Sequence, residues 1–180
     1  MNNKNITPEY LELLDINKIL NRTKNLNDLK VVLKHDDKKG SGLFAIKHIK
    51  QGETIAYYKM TVFNINDYES PTSLIYSFDI YSIKGKESKN SIGDLDTSSF
   101  PPPLNNIPYW GPFVNEPSPG QTLNAEIDVD SEFNYKNRKR IKYGSHVTYK
   151  VIAKCDIKPN DEITIYYGKD YPRNYKINIK

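Results

Sequence analysis

A mainly β fold, of the β-rich α+β kind with several short sheets behind one short N-terminal helix, is what three features of this 180-residue sequence predict. Helical periodicity occurs in one early stretch only. From Leu29 onward the apolar segments are short, rich in β-branched and aromatic residues, and bounded by Gly, Pro, Asn or Asp. Residues 45–58 and 153–166 also echo each other at a constant offset.

The helix is expected over residues 7–21. Thr7 can cap it, Pro8 suits a first turn, and Leu13, Ile16 and Leu20 fall on one face. The Asn-rich stretch 21–28 ends it, so residues 1–28 read as an N-terminal appendage. Strands are expected at Leu29–Leu33, Leu43–His48, Thr54–Tyr58, Tyr76–Ile83, Val147–Ala153 and Glu162–Tyr167. The segment Phe100–Pro108 holds four prolines, which remove ladder donors and lock φ, so it is expected to be an irregular loop. In the echo, AIKHIKQGETIAYY answers AKCDIKPNDEITIY: Ala45 matches Ala153, Ile49 matches Ile157, Ile55 matches Ile163, and the turn residue Gly52 faces Asn160. Two similar hairpin-like units packed side by side would explain it. The competing explanation is coincidence between two amphipathic hairpins in a biased composition.

Composition excludes several classes of function. No apolar run reaches the roughly 18 residues of a membrane span, and the N-terminus lacks the apolar core of a signal peptide, so an intracellular protein in the nucleus or cytoplasm (a host cell's, if viral) and no membrane partner are expected. The single cysteine, Cys155, leaves no intramolecular disulfide and no zinc site of several thiolates. His35, His48 and His146 lack metal-ligand spacing, so no metal is expected. The net charge of +4 invites a nucleic-acid reading, but 22 of the 26 basic residues are Lys. Arg is the better reader of phosphates and bases, which argues against a direct nucleic-acid substrate. The basic run Lys136–Lys142 reads first as a solvated loop. Contact with DNA or an acidic protein face, and an import signal, are its alternatives.

Four pieces in order resemble the SET-domain protein lysine methyltransferases: Lys39-Gly40-Ser41-Gly42-Leu43-Phe44-Ala45 with the following IKQGETI; Tyr76-Ser77-Phe78-Asp79-Ile80 with Ile92-Gly93-Asp94; Pro112-Phe113-Val114-Asn115-Glu116-Pro117 with Asn124-Ala125; and VIAKCDIKPNDEITIYYG over Val151–Gly168. The resemblance implies a SET-type β-clip fold over residues 29–170, with a variable insert at 64–110, a threaded C-terminal segment and a tail at 171–180. It is the compact type without zinc-binding cysteine clusters on either flank. It further implies S-adenosyl-L-methionine as cofactor and methyl transfer to the ε-amine of a lysine in a histone or other basic protein tail.

Residue by residue, the resemblance implies that Gly40, Ser41, Gly42, Leu43 and Phe44 line the cofactor pocket through backbone groups, where glycine lets a ligand approach closely. Asn115 stands where the family places the Asn of its Asn-His-Ser-Cys stretch, toward the cofactor's methionine end. The chain departs at the next position, where Glu116 replaces the His and is expected to favour a cationic cofactor if its carboxylate points inward. Tyr167 stands at the active-site Tyr, directly before Gly168, and Ile163, Ile165 and Tyr167 are expected to alternate onto one inward strand face. Tyr58, Tyr76 and Tyr171 are candidate walls of the lysine channel, and Tyr171 or Tyr175 a lid carried by the tail. Two rival readings remain open: a SET fold that has lost catalysis and serves as a binding module, and a β-clip module for carbohydrate or another small ligand.

Overall fold

Alternating apolar segments pair into two antiparallel sheets in the computed structural model, which describes residues 15–23, 25–36, 39–67, 76–81, 87–95, 100–128 and 142–177. A short helix, α1 (Ile16–Arg22), leads in. Strands β1 (Val31–Asp36) and β2 (Gly40–Ala45) form a two-stranded sheet. Strands β3 (Thr54–Asn64), β4 (Phe78–Tyr81), β5 (Glu87–Asp94), β6 (Ala125–Asp128) and β7 (His146–Ala153) form a five-stranded sheet in the order β4-β5-β3-β7-β6. Among the described residues no helix is long and apolar enough to cross a membrane.

Within the described residues the helix begins at Ile16. The Asp15 carboxylate accepts the Asn17 N–H at 2.9 Å, and Asp15 itself is extended (ψ 105°), so it is the cap. A short side-chain acceptor that satisfies an orphan backbone donor ends the helix on its N-terminal side. Thr7, Pro8 and Leu13 lie outside the described residues, as does the basic run up to Ile141. Ile19 of α1 is buried in the main core beside Trp110, Ile157 and Ile163.

Most expected strands form with shifted ends. β1 begins two residues late, at Val31, and β2 ends at Ala45 because Ile46 turns away to donate to the Lys30 carbonyl at 2.8 Å. β3 runs six residues past Tyr58 because it pairs with β7 over its first half and with β5 beyond it. The sequence reading missed β5 and β6. β5 (ESKNSIGD) is mostly polar and is held by its register, Thr61 opposite Asp94 and Asn64 opposite Ser91. Gly93 lets the side-chain ends of Ile80 and Met60 pack close, since a Cβ would lie 2.6 Å from Ile80 Cδ1. Phe100–Pro108 is irregular as expected, apart from a tight Leu104–Ile107 turn whose two central asparagines both have positive φ.

The internal echo is a structural one. The two copies face each other with reciprocal hydrogen bonds: Ile49 N–H to Ile157 O at 3.0 Å and Ile157 N–H to Ile49 O at 2.8 Å. Ala45 N–H reaches Asp161 O at 2.9 Å, and its counterpart Ala153 N–H reaches Glu53 O at 3.0 Å. The turns are built alike, Glu53 accepting the Lys50 N–H and Asp161 the Lys158 N–H, with Gly52 (φ 83°) and Asn160 (φ 75°) in the left-handed region. A local pseudo-twofold therefore relates the start and the end of the domain. It brings the β2 turn beside the segment that follows β7.

Glu162–Tyr167 forms no regular strand. It is threaded as an extended segment between β2 on one side and the Asn115 and Ala125 segments on the other, through single bridges from Glu162 to Phe44 and from Thr164 to Asn115. Ile163 is fully buried in the core under this segment, whereas Ile46 is 40% exposed. Ile163→Ala is expected to lower stability by about 2–5 kcal/mol through the cavity it leaves, and Ile46→Ala by less than about 0.5 kcal/mol. Urea unfolding of the two variants checks this.

Candidate active site

The backbone bonds that thread the C-terminal segment also build the walls of the site. Ile163 N–H donates to Leu43 O at 2.8 Å and Ile165 N–H to Asn115 O at 2.9 Å, while Thr164 O accepts from Ala125 N–H at 3.0 Å. The Asn124 amide closes the remaining gap, donating to Glu162 O at 2.7 Å and accepting from Thr164 N–H at 2.8 Å. An extended strand with no sheet of its own thus has its polar backbone satisfied from both sides.

This threading brings Ser41, Asn115 and Tyr167 to one open cavity of about 780 Å³. Tyr58, Tyr76, Glu116 and Tyr171 line the same cavity. Ile163 and Ile165 are buried as the alternation requires, but Tyr167 emerges 38% exposed, so the alternation delivers it to the cavity rather than to the core. Its hydroxyl turns inward and donates to the Val114 carbonyl at 2.7 Å. The Tyr171 ring meets it edge-on, centroids 4.8 Å apart at 78°. Tyr58 is buried and donates to the Tyr76 carbonyl at 2.9 Å. Beside them the Ser77 hydroxyl is buried and, among the described residues, has no hydrogen-bond partner.

The glycine turn meets this cavity at one point. Of its five residues only Ser41 lines the cavity. Leu43 is fully buried in the core and its carbonyl is committed to Ile163. Phe44 is bridged to Glu162, with the Lys34 ammonium 5.2 Å from its ring centroid. Gly40 opens the strand with φ 78° and no atom within 4 Å of a built Cβ. Gly42 gives room for others: a Cβ would lie 3.0 Å from Asn115 Nδ2 and 3.3 Å from Glu162 Oε1. Asn115 uses that space to donate to Ser41 O at 3.2 Å and to Glu162 Oε1 at 3.1 Å.

Two charge clusters flank the cavity, and the sequence reading missed most of both. Lys39 forms an ion pair with Glu162 at 2.7 Å and also donates to the Glu116 carbonyl and the Gln121 side chain. Glu116 points inward, a choice the sequence left open against a solvent-facing side chain, but its charge is already engaged. The carboxylate is buried, forked onto Arg173 at 2.9 and 3.1 Å, and accepts the Tyr167 N–H at 2.8 Å and the Tyr175 hydroxyl at 3.1 Å. One signal pointed to Arg173: it is one of only four arginines in a lysine-rich chain.

Burial dominates the tyrosine electrostatics. Desolvation pushes the Tyr167 phenol well above its ordinary value, with Tyr171, Tyr76, Glu116 and Tyr175 adding to the shift. Tyr58 is raised for the same first reason, and Tyr76 likewise. At neutral pH these hydroxyls keep their protons and act as hydrogen-bonding groups, not as bases.

The SET domain family model matches residues 40–168. No curated protein matches the chain significantly. Among solved structures, the chain is similar to the ATXR5 SET domain in complex with an arginine-dimethylated histone H3, at 15% identity and a TM-score of 0.52, covering 92% of this chain and 70% of that one. It is also similar to a Plasmodium falciparum protein assigned as a histone methyltransferase, at 22% identity and a TM-score of 0.49, covering 79% and 96%. A third is the methyltransferase domain of human PR domain-containing protein 2, at 14% identity and a TM-score of 0.41, covering 81% and 82%.

The raised phenols fix the sign of an alkaline effect. Unfolded tyrosines release protons near pH 10, while Tyr58 and Tyr167 keep theirs in the fold, so their contribution is complete below that pH and declines as pH rises through the folded values. Urea midpoints measured from pH 8 to above pH 10 are expected to fall more steeply for wild type than for Tyr58→Phe, which has no proton to lose at that position.

Proposed function

Since the chain belongs to the SET domain family, we propose that it is an S-adenosylmethionine-dependent methyltransferase acting on the ε-amine of a protein lysine, in a histone or another basic tail. The observation that carries this reading is convergence. Ser41 of the glycine turn, Asn115 and the Tyr167 ring share one cavity although they are far apart in sequence.

The donor set suits the cofactor. An amino-acid end needs acceptors for an ammonium and a cation for a carboxylate. The Ser41, Asn115 and Lys39 wall offers the acceptor directly, since among the described residues no donor reaches Asn115 Oδ1, whereas the Lys39 ammonium, bonded to Glu162, Gln121 and the Glu116 carbonyl, would serve a carboxylate only by exchanging one of these partners for it. A volume of about 780 Å³ leaves room for a nucleoside and an incoming side chain. When bound, S-adenosylmethionine supplies an electrophilic methyl group on a sulfonium.

The chain's own residues handle the amine. Tyr167 donates its proton to Val114 O, which leaves its oxygen lone pairs free to accept an N–H and orient the nitrogen lone pair. Neutralising a lysine at pH 7 costs roughly 4.6 kcal/mol from its reference pKa of about 10.4. The ring faces of Tyr58, Tyr76 and Tyr171 can attract the cation on entry, and exclusion of water between them favours its neutral form. Protein tails fit this channel because a lysine side chain is long enough to cross a wall of rings.

Purified protein incubated with methyl-labelled S-adenosylmethionine and core histones or lysine-rich peptides is expected to label them. Tyr167→Phe is expected to reduce kcat/KM by about a hundredfold, the scale of losing one well-placed hydrogen bond in a transition state. Labelling by Tyr167→Phe at the wild-type rate overturns its role. Calorimetric titration showing no cofactor binding removes the methyltransferase reading and leaves the inactive binding module. Ser77→Ala is expected to raise the Tm of the ligand-free protein, since it removes a buried hydroxyl whose missing bond costs about 1–3 kcal/mol.

A further inference from the structure

We propose that Arg173, which lies outside the cavity wall, is a positioning residue that holds Tyr167 in working geometry through Glu116, Gly168 and Tyr171. Its catalytic consequence rests on the methyl-transfer reading above.

A shared carboxylate makes the first link. The Glu116 side chain is 2% exposed and that of Arg173 14%, so the pair is largely removed from water. Arg173 Nε donates to Glu116 Oε2 at 3.1 Å and Nη2 to Oε1 at 2.9 Å. The same Oε1 accepts the Tyr167 N–H at 2.8 Å. The guanidinium therefore sets the position of the oxygen that holds the Tyr167 backbone.

A second path runs through the chain reversal after Tyr167. Gly168 has φ 96°, open to glycine, and lets the tail double back. Arg173 Nη2 closes that reversal on the Gly168 carbonyl at 2.6 Å. Its guanidinium lies 5.3 Å from the Tyr166 ring and 5.4 Å from the Tyr171 ring, and Tyr171 is the ring seated edge-on against Tyr167. Backbone and ring of Tyr167 are thus both tied to one side chain that does not line the cavity itself.

The geometry demands arginine. Only a planar fork can serve two carboxylate oxygens and a carbonyl while its faces meet two rings. A lysine would keep the charge but not the arrangement. Removing the cation altogether would leave a buried, unpaired carboxylate beside the Tyr167 N–H, a costly state that the tail would relieve by opening.

Arg173→Ala and Arg173→Lys in the full chain test this. Both are expected to lower kcat by about tenfold to a hundredfold, the scale of a misplacement near 1 Å. Calorimetric binding of S-adenosylhomocysteine is expected to stay within about threefold of wild type. Hydrogen exchange at the Tyr167 amide is expected to accelerate in both variants. A purely structural role predicts instead that Arg173→Lys restores kcat and amide protection along with stability, and that result overturns the proposal. So does Arg173→Ala with unchanged kcat and Tyr167 exchange. If Arg173→Ala loses cooperative unfolding, Arg173→Lys decides alone by the same readouts. The exchange measurement needs no turnover, so a chain that transfers no methyl group would sink the functional reading while this geometry is still judged by the amide.

Discussion

An extended segment without a sheet is the constraint on which the site depends. Residues 162–165 cannot leave their N–H and C=O groups unpaired in the interior, because each such loss costs on the order of 1–3 kcal/mol. They obtain partners from Leu43, Asn115, Asn124 and Ala125, four residues on three different stretches of chain. Satisfying that one strand forces the β2 turn, the Asn115 loop and the approach to β6 together. The cavity is what remains between them, and Tyr167 stands where the threaded segment leaves it.

Burying a carboxylate at this junction dictates how the C-terminal tail is held. Glu116 accepts four hydrogen bonds, from Arg173 twice, Tyr167 and Tyr175. Its desolvation is offset only because the tail supplies those donors, so the tail is ordered by the site and the site by the tail. Lys39 and Glu162 play a milder version of the same part, linked to the first pair through the Glu116 carbonyl, and the ion pair also fixes the Asn115 amide. Tyr58, Tyr76, Tyr167 and Tyr171 line the cavity together with Lys39 and Glu116.

The reciprocal bonding of the echoed segments adds an architectural reason for the convergence. Ile49 and Ile157 exchange both backbone hydrogen bonds, and each copy's turn caps the other's strand. Two hairpin-like units of similar sequence present matching donors and acceptors, so they dock about a local twofold. Docking them puts Gly42, just before the first unit, against Glu162 of the second. Closure of the domain and assembly of the site are one event.

What the sequence determined by itself was local or pairwise. Short β-rich segments, the proline-dense loop, the paired turns at Gly52 and Asn160 and the position of Tyr167 before Gly168 were all legible, because each depends on residues within a few positions or on a pattern repeated along the chain. β5 was not legible, since ESKNSIGD carries no strand pattern and becomes a strand by register between β3 and β4. Neither was the single cavity contribution from the glycine turn, because which of five adjacent residues faces a cavity depends on what packs behind the other four. Glu116 and Arg173 could be noticed but not joined. Only the tertiary structure decided that they meet, because a buried carboxylate takes whichever donor the folded chain carries to it, and that donor lies beyond a reversal at Gly168 which no local preference aims.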